Sequence, residues 1–573
     1  MRTGSKGLAG LVAIGTAAAL VLSGCTGSGS KKQFSVSLAE CDQKPNDCNT
    51  GPTKDGGSLT VALEKKLVNW NTNSAKGNVA DIVDVLLAVQ PSPVTIRPDN
   101  TAVVNDQVAE SIEVTSKSPQ TVVYRIKKDA VWSDGTPIGV DDFIYAWKTQ
   151  NGRDCPDCDA AASTGYDQIA SITGADGGKT ITTVYSTPYP DYMSLFLGLF
   201  PAHIAKTYGD DGTPAGLLKA WDTFKDKQYE WSGYAYRIGE YQKDVSLTLV
   251  RNDRFWGAKP KLDTIVYRVL ADQGSQVPAL KNKEVQMLTS QPSQAIVDET
   301  KAIPGVDYAL TKGPNWEHLT FNTKNKFLAD AELRKAMATA INTKEIIAKT
   351  IGSFFPAAAP LGNRMLLPGQ DGYKDNLAGT GYGSGDQAKA KKILTDAGYT
   401  VGADLKTQAG EVVPPLRFRY SEGNVPRQQA VELMQNGLKG LGIQVTIEPT
   451  ASLGDTLEEH DFDAIIFAFI GGPFLTPNVD LWKTGGGGNF SQWSNPAADK
   501  LLGQVATELD TKKATDLLNQ VDVLVTTDMP DLPLFQKPVY LAVDHNYVNI
   551  RPNATQVGPQ YNVHQWAARA AGK

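Results

Sequence analysis

The sequence predicts an α/β fold, on three observations. Residues 416–420 and 443–447 read as strands, and between them residues 427–438 read as a helix with Val431, Met434 and Leu438 on one face. Residues 462–469 form a nearly continuous apolar run, as expected of a strand buried on both faces. Strand, helix and strand in alternation imply a lobe built on parallel strands.

Earlier elements follow the same logic. Residues 58–63 alternate and predict a first strand. Residues 121–126 predict another, which runs towards the turn Ser133-Asp134-Gly135-Thr136-Pro137. The helix after it carries Val140, Phe143, Ile144 and Trp147 at helical spacing. Asp330 caps a helix whose stripe is Leu333, Ala336, Met337, Ala340 and Ile341. Residues 387–397 form a helix stopped by Gly398. At 573 residues the chain is long enough for two or three core-forming units. Its 41% hydrophobic and 21% charged residues are ordinary for a globular protein.

The N-terminus reads as an address. Arg2 and Lys6 precede an apolar run at 8–22, which ends in Leu22-Ser23-Gly24-Cys25. The run is too short for a comfortable membrane-spanning helix of about 20 residues. Its ending resembles the bacterial lipobox. That resemblance implies a signal peptide over 1–24, a diacylglycerol thioether on Cys25, and an anchor at the extracytoplasmic face of the cell membrane. Each buried methylene contributes about 0.8 kcal/mol, so two or three acyl chains hold firmly. Residues 25–57, rich in Gly, Ser, Lys and Asn, read as the lipidated cysteine and a flexible tether. No later stretch reaches 18 apolar residues.

A net charge of −6 without long runs argues against nucleic acid as a partner. Beyond Cys25 the cysteines are Cys41, Cys48, Cys155 and Cys158, an even set that predicts two disulfides, paired locally or crossed. The Cys155-Pro-Asp-Cys158 spacing also suits a redox pair or half a zinc site, but neither a thioredoxin-like context nor a His pair accompanies it. The five His, at 203, 318, 460, 545 and 564, never fall at ligand spacing. Gly177-Gly178-Lys179-Thr180 looks like the end of a phosphate loop, yet Thr173 stands where the required Gly belongs, so a turn is expected. No motif gives reason to propose catalysis, a metal or a cofactor, and a non-enzyme is expected.

Several segments carry a specific likeness. They are Val131-Trp132-Ser133-Asp134-Gly135-Thr136-Pro137 with Asp141-Asp142-Phe143-Ile144-Tyr145-Ala146-Trp147, and Leu249 through Gly257 with Lys259-Pro260-Lys261-Leu262-Asp263. Leu319-Thr320-Phe321-Asn322-Thr323 with Leu333-Arg334-Lys335-Ala336, then Ala397-Gly398-Tyr399, then Phe490-Ser491 with Trp493-Ser494-Asn495-Pro496, follow in order. Together they resemble the family 5 extracellular solute-binding proteins of ABC importers, which bind oligopeptides, dipeptides and nickel chelates. The resemblance implies an α/β, two-lobed periplasmic-binding-protein-like (type II) fold with an extra domain inserted in the N-terminal lobe. Carried onto this chain, lobe I is 58–95, 191–315 and 531–573, the extra domain 96–190, and lobe II 316–530. It further implies a monomer that closes on a peptide or peptide-like ligand and delivers it to permease subunits. The same fold binding another solute, such as a nickel chelate or a sugar, and an envelope-regulatory lipoprotein are the alternative readings.

Trp70, Trp316, Phe469, Gly471, Phe474 and Asn489 are the expected cleft residues, from their places after the first strand, near the hinge and at strand ends. The family's peptide binders often hold the ligand ammonium with an Asp where this chain has Gly472. Either Asp480 or another acid substitutes, or the ligand lacks a free α-ammonium.

Overall fold

One ten-stranded sheet organises the fold. The computed structural model describes residues 37–570, apart from 68, 79 and 556. The export signal expected over 1–24 and the lipid site expected at Cys25 lie outside the described residues. The sheet begins with Val445–Thr450, Leu416–Ser421 and Ala464–Phe469, continues through Val306–Phe321 and Asp531–Asp544, and then takes Met287–Leu288. It ends with Ser58–Leu63, Thr264–Val269, Ser246–Arg251 and Tyr236–Gln242.

Two of these strands are long enough to belong to both halves. Val306–Phe321 has 16 residues and Asp531–Asp544 has 14. They pair antiparallel from Val306 with Asp544 to Lys312 with Pro538, lose register, and pair again from Trp316 with Gln536 to Thr320 with Asp531. The break holds Gly313, Pro314 and Asn315. Pro314 cannot donate to a ladder, and the Gln536 side-chain amide donates to the Gly313 carbonyl at 3.1 Å in its place.

On one side of the break lies the lobe the alternation predicts. Leu416–Ser421 pairs parallel with Val445–Thr450 and with Ala464–Phe469. The crossover helix Val425–Lys439 buries Ala430, Val431, Met434 and Leu438. Asn424 caps it, accepting from the Arg427 amide at 3.1 Å. Asp330 caps Ala331–Ala340, accepting from the Glu332 amide at 2.9 Å.

On the other side, Ser58–Leu63 pairs parallel with Thr264–Val269. Beside it stands a four-stranded sheet in the order Ala109–Lys117, Gln120–Ile126, Thr180–Tyr185, Ile169–Ala175. Tyr124, Phe143 and Phe196 of this region share one apolar core with Leu59 and Val61 of the first strand. The turn at 133–137 forms as its residue types require: Asp134 accepts from the Thr136 amide at 2.9 Å, and Gly135 takes a φ of 95°. Residues 177–179 make a turn between two strands, with the Lys179 ammonium held by the carbonyls of Ala130 and Ile138.

Both disulfides are local, Cys41–Cys48 and Cys155–Cys158. The tether expected over 25–57 needs correction. From residue 37 on it is folded: Leu38–Glu40 is a 3-10 turn and Leu38 is fully buried. Cys48 accepts from Arg551 at 2.7 Å, and Thr53–Lys54 pairs with Ala567–Arg569. Composition resembles a linker there, but the cystine, the buried Leu38 and the contacts with Arg551 and Ala567–Arg569 hold it in place.

His564 gives a pH test of this packing. Burial pushes its imidazole from 6.5 down to about 4, and its Nδ1 is buried without a protein partner. A depressed His adds stability that is present above the unfolded value and lost as pH falls towards the folded one. Urea midpoints should therefore show about 3 kcal/mol of stability lost between pH 7 and pH 4 through this group. His564→Gln should flatten that part of the profile.

Candidate ligand-binding cleft at the hinge

Alternation along Val306–Phe321 sends Trp316, His318 and Thr320 to one face of the sheet and Glu317, Leu319 and Phe321 to the other. On the first face Trp316 stands opposite Phe469 in register, ring centroids 5.5 Å apart. His318 stacks on Phe469 at 4.3 Å. Its Nδ1 lies 2.5 Å from Asp531 Oδ2, which also accepts from Thr320 at 2.8 Å. The fully buried Arg364 reaches Asp522 at 3.2 Å and Asp531 at 3.7 Å. This network holds the end of Ala464–Phe469, where the chain leaves the sheet.

The segment after that strand crosses between the lobes. Ile470 is 70% exposed, unusual for a large aliphatic residue. A Cβ on Gly471 would stand 2.1 Å from the Pro314 carbonyl oxygen, so only glycine lets this segment pass against the hinge. Thr476 then donates from both its amide and its hydroxyl to Asp191 Oδ2, each at 2.7 Å. Asp191 precedes Leu195, Phe196 and Leu199, which are buried in the first lobe's core. Burial pushes the Asp191 carboxyl up, and the two Thr476 donors oppose that rise.

Beside the hinge lies a cavity of about 300 Å³. Its walls include the end of the first strand at Leu63, Tyr267, the hinge residues Asn315 and Lys537, and Gln560. Lys537 belongs to a buried charge cluster. Glu317 pairs with Arg427 and lies 3.7 Å from the Lys537 ammonium, which donates to Gln291 at 3.3 Å. Burial raises the Glu317 carboxyl, but the Arg427 and Lys537 charges outweigh it and hold the group low. Burial pushes the Lys537 ammonium down.

The expected cleft residues divide. Trp316, Phe469 and Gly471 come together at the hinge, and Phe474 lies half-buried on the crossing segment. Trp70 packs in the first lobe against Tyr229 and Tyr241, ring centroids 6.0 and 5.0 Å away. Asn489 is buried within its own loop, donating to the Lys483 and Trp493 carbonyls at 3.0 and 2.8 Å. Asp480 uses its carboxylate on the Gly487 and Gly488 amides, at 3.0 and 3.2 Å. Sequence reasoning missed Lys537, Thr476 and Asp191. A lysine inside the apolar run of 532–543 was the available signal for the first; nothing marked the other two.

The family model for "Bacterial extracellular solute-binding proteins, family 5 Middle" matches residues 103–492. The chain belongs to this family. Among relatives of this family 5 protein, the oligopeptide-binding protein OppA of Mycobacterium tuberculosis is 29% identical over 550 residues, covering 93% of this chain and 89% of the relative. An uncharacterized lipoprotein of Mycobacterium tuberculosis is 24% identical over 604 residues, 98% of each chain. The solved structure of the periplasmic EDTA-binding protein EppA superposes with a TM-score of 0.88 at 33% identity, covering 92% of this chain and 99% of that one. The fold is the type II periplasmic-binding-protein architecture that the family resemblance implies.

Thr476→Val removes one of the two hydrogen bonds to Asp191 and leaves that buried carboxylate under-satisfied, a cost of about 1–3 kcal/mol to the Thr476–Asp191 contact. Interlobe distance measured with paired fluorophores should increase in this variant, and the melting temperature of each lobe's core should hold.

Proposed function

We propose that this chain is the substrate-capturing component of an ABC importer and takes a peptide or peptide-like solute between its lobes. The observation that carries the reading is the hinge: two long strands continue from one lobe into the other, broken at 313–315, while Thr476 bridges to Asp191. Ligand that touches both lobes favours the closed form, because only that form makes both sets of contacts. The likeness to OppA supports a peptide ligand and delivery to permease subunits. The protein works as a monomer, does no chemistry on its cargo, and hangs from the extracytoplasmic membrane face by lipid on Cys25. The likeness to a lipoprotein along nearly the whole chain supports that anchor. Its lobes are 58–95, 191–315 and 531–573 against 316–530, with 96–190 as the added domain.

A second reading keeps the fold and changes the cargo to a non-peptide chelate. The likeness to an EDTA-binding protein favours it, as does Gly472 at the position where an ammonium-binding acid was expected.

Small-angle scattering with and without mixed tri- to pentapeptides tests the capture. The radius of gyration should fall on adding a ligand that native mass spectrometry shows bound. A profile unchanged by every bound solute would sink the clamp. Cells lacking the gene should lose uptake of the bound peptides.

A further inference from the structure

We propose that Lys537 is the anchor for a carboxylate of the captured solute, and that the cavity beside it takes carboxylate-bearing ligands that also present N–H donors. This rests on the capture reading above and adds the ligand chemistry to it.

The first support is position. Lys537 lies on Asp531–Asp544 where register with Val306–Phe321 is lost, and its side chain is only 20% exposed. It lines the cavity together with Asn315 and Gln560. Its contacts lie on both sides of the hinge: Glu317 belongs to the second lobe, and Gln291 to the loop after Met287–Leu288 in the first. A ligand charge bound here therefore acts where the two lobes meet.

The second support is charge. Glu317 is one carboxylate between two cations, Arg427 and Lys537, and Arg427 is the closer partner. Lys537 is left with two long contacts, 3.7 Å to Glu317 and 3.3 Å to Gln291, for an ammonium that has three hydrogens to donate. Arg427 is otherwise held by Ser421 at 2.9 Å. The cluster thus carries a surplus positive charge in a desolvated place, where an incoming anion is worth more than it is in water. Glu64, Lys65 and Asp84 also stand in the wall, so both signs are present there. The hinge position of Lys537 is what distinguishes it.

The third support is a pair of acceptors. Gln560 is 4% exposed, and its Oε1 is buried with no protein donor. Asn315 Oδ1 is in the same condition. Buried carbonyl oxygens are normally satisfied. Both residues face a cavity large enough for a small solute, and an amide or amine N–H of that solute would meet the need.

The carboxylate could be a peptide C-terminus or part of an amino-polycarboxylate. Calorimetry on the full mature chain separates these, with a panel of tri- to pentapeptides as free acids, the same peptides as C-terminal amides, and nitrilotriacetate. Lys537→Met and Lys537→Arg are measured beside the wild type. The expected result is that free acids bind at least about tenfold more tightly than amides, that Lys537→Met erases the difference, and that Lys537→Arg keeps most of it. The acid-to-amide ratio in the wild type stands as a test even if the Met variant folds poorly. Binding of nitrilotriacetate alone, lost in Lys537→Met, supports the anchor with a polycarboxylate as its source. Equal affinity for acids and amides, or a preference that survives in Lys537→Met, overturns the anchor and leaves peptide capture standing. Silence from every probe removes the capture reading and the anchor together.

Discussion

The antiparallel pairing of Val306–Phe321 with Asp531–Asp544 is the constraint on which the rest depends. A strand pair is stiff along its length, because each residue is held by ladder bonds, and it bends where those bonds are missing. Ladder bonds are missing over 313–315, and the register shifts a second time between Glu317 and His318. Beyond the break, Trp316–Phe321 pairs with Ala464–Phe469 on one side and with the start of Asp531–Asp544 on the other, so the second lobe's strands are joined to the first through this pair.

The second lobe is held by unusually polar means. Arg364, Asp522, Asp531, His318 and Thr320 form a buried network behind the aromatic face of the sheet. Networks of this kind add little net stability, since burial of charge offsets much of the attraction. They fix geometry instead, because a misplaced partner leaves a buried charge alone. Here they fix the exit of Ala464–Phe469, and so the path of the segment that reaches across to Asp191.

Much of the fold was legible because periodicity and capping agree with the tertiary arrangement. The stripe of Val431, Met434 and Leu438 faces the sheet, and the apolar run ending at Phe469 becomes a buried strand. The turn at Ser133–Pro137 forms from its own residue chemistry. The site was less legible. Trp316, Phe469 and Gly471 meet at the hinge because they flank a strand end, whereas Trp70 and Asn489 are types that serve cores and loops as readily as clefts, and they pack elsewhere. Asp191 and Thr476 lie 285 residues apart, and no local pattern links them. The folding of 37–57 was hidden for a related reason: its partners, Arg551 and Ala567–Arg569, come from the far end of the chain.

That N-terminal staple has a mechanical consequence. Its short strand pairs with Ala567–Arg569 and the Cys48 carbonyl accepts from Arg551, so the two described ends of the chain are clasped to one another. A pull on residue 37 is therefore borne by that clasp before it reaches the long strand pair.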